Sequence, residues 1–220
     1  MILGANNLTV GSNNLSTAFS GIIEDGTYRS GGQLSKAGRG TFTLSGGNTY
    51  TGGTAVSGGT LLVTNQTGSA TGTGAVQVNA GTLGGTGSIS GPVTIGNGTT
   101  KGTLLGGTAL TPGSLTINSI LTFAAPSTYK WVLNRTTVIA GKLTALGVVI
   151  NSNATLTFAP VGSGTLAHGT SFTVIDNISA NPIVGTFANL PDGEILTSGG
   201  ITVQANYHGG TGNDLTLTVQ

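Results

Sequence analysis

GTFTLSGGNTYTGGTAVSGGTLLVTN, residues 40–65, is built almost entirely from Gly, Thr and Ser around short apolar bursts. In Thr41-Phe42-Thr43-Leu44, Thr54-Ala55-Val56 and Leu61-Leu62-Val63 the apolar residues fall at every second place or in a short run. That period of two marks strands with one buried face. Gly46-Gly47, Gly52-Gly53 and Gly58-Gly59 separate them, and paired glycines supply the positive φ angles of tight turns. No segment sustains a helical period. Strands this short cannot bury a face alone, so neighbouring repeats must share one interior.

Working outward, Gly-Thr followed by Leu or Phe starts at residues 40, 59, 81, 102, 164 and 185, with steps of 19, 22, 21, 62 and 21. The long step is close to three of the short ones. The expected fold is therefore all-β: a single-stranded parallel β-helix, or β-solenoid, of about 20–22 residues per coil. Residues 1–32 are read as capping or entry strands and 33–220 as coils, with 164–220 forming the C-terminal coils or cap. At ~4.8 Å per coil, ten coils would make a rod about 50 Å long. An antiparallel sandwich or barrel is the alternative architecture, since turn signals every 8 to 12 residues suit it too.

Composition narrows the function. The chain has 220 residues, 40 of them Gly, and only 6% are charged, with a net charge of +1. So weak a field offers no footprint for nucleic acid or an anionic membrane. With 37% hydrophobic residues and a mean hydropathy of +0.25, the chain does not fit the composition of disorder. It has no Cys, hence no disulfide or thiolate chemistry. No apolar run is long enough for a transmembrane segment. Residues 1–10, MILGANNLTV, lack a signal-peptide core, so a secreted reading implies a piece of a longer protein.

Residues 33–63, QLSKAGRGTFTLSGGNTYTGGTAVSGGTLLV, resemble the autotransporter-associated β-strand repeat. The family's motifs fall on Leu34, Lys36, Gly38, Gly40, Leu44 to Gly46, Asn48, Tyr50, Gly52 to Thr54 and Gly59 to Leu61. The closing YHGGTGNDLTLTV resembles the end of many such proteins. The resemblance implies a right-handed passenger-type β-helix, extracellular or at the bacterial cell surface, with no catalytic residues to carry over. The function expected is non-catalytic: a stalk, adhesin or self-associating filament element. Partners would be further copies, end to end in fibres, or a surface glycan or host matrix ligand.

The enzyme alternative is a polysaccharide-binding or polysaccharide-degrading β-helix. Glycoside hydrolysis needs two carboxyl groups roughly 5–10 Å apart. The six acids are Glu24, Asp25, Asp176, Asp192, Glu194 and Asp214. Asp192 and Glu194 are the best pair, but they lie in LPDGE, where Pro-Asp-Gly is turn chemistry; Glu24-Asp25-Gly26 reads likewise. His168 and His208 each sit beside Gly, as turn residues. GGTGNDLTL, residues 209–217, fits one copy of the nonapeptide of calcium-binding β-rolls, which makes Asp214 a calcium candidate. With a single copy and a single carboxylate, a Gly-rich turn is the simpler reading. No cofactor is expected. Tyr129 and Trp131, two apart, are either a sugar-stacking strip or core. The Thr-x-Thr pairs, such as Thr41/Thr43 and Thr155/Thr157, do not recur at the coil step, which argues against a flat ice-binding array.

Overall fold

The computed structural model covers residues 1–220 and contains strands but no helix. The chain winds through three sheets in turn. The first stacks Asn7–Val10, Gln33–Lys36, Thr54–Val56, Val76–Val78, Val93–Ile95, Leu121–Phe123 and Val148–Ile150, every pair parallel. The second stacks Thr17–Phe19, Thr41–Leu44, Thr60–Val63, Gly81–Gly85, Gly102–Leu104, Ser127–Asn134 and Ala154–Val161, also in parallel. The third begins with Ser88–Ile89, Ser114–Ile117, Lys142–Ala145 and the parallel strand Ser171–Asn177. This is the parallel β-solenoid expected, and the antiparallel sandwich is excluded.

Register explains why such short rungs hold. In the second sheet Phe42, Leu61, Leu83, Leu104, Tyr129 and Leu156 stand in one inward column. In the first, Val56, Val78, Ile95, Phe123 and Ile150 do the same. All the columns meet in one hydrophobic cluster of 42 buried residues. No coil has a core of its own, so stability comes from contacts between neighbouring coils.

The coil length differs from the even 20–22 expected. Successive rungs of the first sheet, at Leu8, Leu34, Thr54, Val76, Val93, Leu121 and Val148, are 26, 20, 22, 17, 28 and 27 residues apart. The Gly-Thr copies at 40, 59, 81 and 102 share one ladder. The next rungs there are Ser127-Thr128-Tyr129 and Ala154-Thr155-Leu156. The copies at 164 and 185 fall outside every strand. Loops at the corners absorb the extra residues, while the inward column fixes the register. Seven rungs span about 30 Å at ~4.8 Å each, shorter than ten even coils.

The two ends differ. Asn7–Val10 and Thr17–Phe19 are edge strands, each paired on one side only, and Leu8, Val10 and Phe19 are only half-buried. At the other end the third sheet turns antiparallel. Ser171–Asn177 pairs with Asp214–Val219, which pairs with Ile201–Gly209, which pairs with Ile195–Ser198. Ile201, Val203, Ala205 and Tyr207 on one face of this meander join the common core. Asn189 covers the last rung of the second sheet: its Oδ1 accepts from the Leu156 N–H at 2.9 Å and its Nδ2 donates to the Leu156 carbonyl at 2.8 Å. A side-chain amide thus takes the place of a further strand.

Candidate functional site

Residues 34–63 make two rungs in each of the first and second sheets. Leu34, Leu44 and Leu61 point inward and are fully buried. Lys36 occupies the same inward column as Val56 and is also fully buried. Its stem packs like an aliphatic side chain, and its ammonium reaches a corner. There Nζ donates to the carbonyls of Ala37 at 2.6 Å, Gly38 at 3.2 Å and Gly58 at 3.1 Å. Three donors meet three acceptors drawn from two successive coils. Burial pulls the ammonium pKa below its ordinary value.

Asn48 links three coils: Oδ1 accepts from the Ile23 N–H at 2.8 Å and Nδ2 donates to the Ala70 carbonyl at 2.5 Å. The buried Tyr50 hydroxyl pairs with Thr54 Oγ1 at 2.5 Å. Two corners require glycine. Gly38 has φ +64°, and a Cβ there would sit 2.0 Å from the Gly11 carbonyl oxygen. Gly59 has φ +61°, and its Cβ would sit 2.4 Å from the Gly40 oxygen. At both, backbones of adjacent coils approach too closely for a side chain. Lys36→Met keeps the stem and removes the donors. It should lower the unfolding free energy by about 2 kcal/mol, measured in urea, because buried carbonyls lose their partners. A change under about 0.5 kcal/mol would mean that solvent already serves those carbonyls.

The acids are dispersed. Asp25, read as a turn residue, is buried and holds a corner. Oδ1 accepts from the Gly32 N–H, and Oδ2 from the N–H groups of Gly31 and Thr51 and from Thr51 Oγ1. Glu24 contributes backbone hydrogen bonds to Met1 and Leu3. Asp192 Oδ1 accepts from the Tyr207 N–H at 2.8 Å, whereas Glu194 is exposed and reaches only the N–H of Ile195. Asp176 pairs with Lys142 at 2.9 Å. Asp214 is buried. Its Oδ1 accepts from the Asn177 N–H at 2.9 Å and its Oδ2 from the Thr211 N–H at 3.0 Å. It thereby locks the hairpin in which Gly209 pairs with Asp214. His168 is exposed in a turn, whereas His208, expected beside a turn, is exposed near the end of the strand Ile201–Gly209. No three His, Cys, Asp or Glu side chains converge.

Tyr129 and Trp131 are fully buried, so they form no sugar-stacking strip on the surface. The Tyr129 hydroxyl donates to the Val174 carbonyl at 3.1 Å, and Trp131 Nε1 donates to the Gly141 carbonyl at 3.0 Å. Sequence reasoning missed the roles of Lys36 and Asp25. The signal for Lys36 was its place two residues after Leu34, on the inward side of QLSK.

No curated protein matches the chain. A family model does, over the segment whose main motif residues have just been placed in the fold. Residues 34–63 match the model of the passenger-associated-transport-repeat, consistent with the autotransporter-associated repeat that their motifs resemble.

Proposed function

We propose that this chain is a non-catalytic spacer in an exported bacterial passenger, displayed outside the cell as a stiff β-solenoid segment. The observation that carries the reading is the position of the matched repeat. Residues 34–63 are continuous in register with the rungs before and after them. Their motif residues serve the corners and the core: Lys36 and Asn48 tie successive coils together. A segment whose signature residues serve mainly stacking is suited to bear load and hold distance. Association with further copies, in this reading, uses the half-buried edge strands Asn7–Val10 and Thr17–Phe19, which carry no charged residue to discourage pairing.

The test is display. The chain is placed between a signal peptide with an N-terminal epitope and an outer-membrane barrel, and intact cells are stained. The expected result is strong staining that survives mild protease, with Lys36→Met and Gly38→Val sharply reducing it. Retention of the epitope inside intact cells, or export unaffected by both substitutions, would overturn the reading.

A further inference from the structure

The outer face of the second sheet carries a feature that the Thr-x-Thr spacing along the chain hides. Read across the rungs, Thr41, Thr60, Thr82, Thr103, Thr128 and Thr155 stand in one registered column. The first four line a groove of about 400 Å³, within the size range of small-ligand sites. Its far wall is the loop between the second and third sheets, tied down by the hydrogen bonds between Gly85 and Gly107 at 2.7 and 2.9 Å. Leu110 projects from that loop, 74% exposed, and lines the groove with Leu62 and Leu105. Lys130 is the one charged residue of the lining, which contains no acid.

The hydroxyls within the groove differ from those beyond it. Thr128 and Thr155 pair with each other at 3.1 Å. The side-chain hydroxyls of Thr41, Thr60, Thr82 and Thr103 make no hydrogen bond to the protein, although all four residues are half-buried. They form a row of free donor–acceptor groups at the rung spacing of ~4.8 Å. Backbone N–H and C=O groups beneath them are used in the sheet ladder, so an extended peptide finds no strand to pair with. The loop wall rules out a flat array. An extended β-linked glycan, by contrast, advances by close to the rung spacing with each pyranose. It offers hydroxyls at its edge and C–H faces to leucines.

We propose that this groove binds an extended, uncharged β-linked polysaccharide strand lying along the solenoid axis, its hydroxyls on the threonine row and its ring faces against Leu62, Leu105 and Leu110. The assignment goes beyond the spacer reading and does not depend on it, because binding is measured on the purified chain. The probe is cellohexaose, with maltohexaose, whose α-linkage coils the chain, as the comparison. Calorimetry should show saturable binding of cellohexaose and at least ten-fold weaker binding of maltohexaose. The double variant Thr60→Val/Thr82→Val keeps the shape and the β-propensity of the strands; it should weaken cellohexaose binding about ten-fold with the melting temperature unchanged, and Leu110→Ser should weaken it several-fold. No saturable heat at millimolar cellohexaose, equal affinity for both sugars, or undiminished binding by the double variant would overturn the proposal. Binding of an acidic β-1,4-linked oligoglucuronate but not of cellohexaose would overturn the uncharged assignment.

Discussion

Raising the pH above 10 should unfold the solenoid as its buried tyrosines ionise. Burial raises the pKa of Tyr50, Tyr129 and Tyr207, Tyr207 to about 12. A group whose folded pKa lies above its unfolded value contributes stability that is complete below the unfolded value. That stability is lost as the pH rises from there through the folded value. Each tyrosine therefore removes ~1.4 kcal/mol per pH unit above 10. The three together remove ~4 kcal/mol per unit until about pH 12, where the Tyr207 contribution is complete, a loss comparable with the stability of an ordinary domain. Lys36 works in the opposite sense. Its lowered pKa makes the fold gain stability as the pH climbs toward 10.5, after which it adds nothing further. The net loss above that point belongs to the tyrosines. Circular dichroism and tyrosinate absorbance should change together along the titration. Full tyrosinate absorbance with the β signal intact would mean that these rings are open to solvent.

Trp131→Ala should cost about 3–5 kcal/mol, the range for emptying a large buried aromatic site. Trp131 packs against Phe158 of the next rung at a centroid distance of 4.7 Å and Phe172 of the third sheet at 5.8 Å. It is also tied to the Gly141 carbonyl. The loss therefore falls where the last parallel coils meet the antiparallel meander. In a stack of coils that touch only their neighbours, damage stays near its origin. Hydrogen exchange should rise sharply from about residue 127 onward and little in residues 33–104. Uniformly faster exchange along the whole chain would show that the coils unfold as one unit. Trp131→Phe, which keeps a ring in place, should cost about 1–2 kcal/mol.

The repeat and the parallel stacking were legible because both are written in short-range pattern. Gly-Thr-Leu at 59, 81 and 102 marks three consecutive rungs of one sheet. Beyond residue 104 the motif stopped tracking the rungs. There Tyr129 and Leu156 carry the inward column without a Gly-Thr before them, and corner loops lengthen freely. The meander was illegible for a different reason. Ile201, Val203, Ala205 and Tyr207 alternate as any half-buried strand does, and alternation is blind to strand direction. The threonines of the row are those of the Gly-Thr copies at 40, 59, 81 and 102, but the loop wall beside them and their unpaired hydroxyls depend on how the coils stack, which spacing along the chain does not give. Asp25 looked like a turn residue because its donors, Gly31, Gly32 and Thr51, come from its own corner and from the coil after it.

The unlike ends give the molecule a polarity of growth. Beyond Ser171–Asn177 the strands of the third sheet run against each other, so a new turn of solenoid has no parallel edge there to copy. The Asn7–Val10 edge still presents the parent pattern. Lengthening by duplication can proceed among the parallel rungs, while the meander stays outside the repeating pattern.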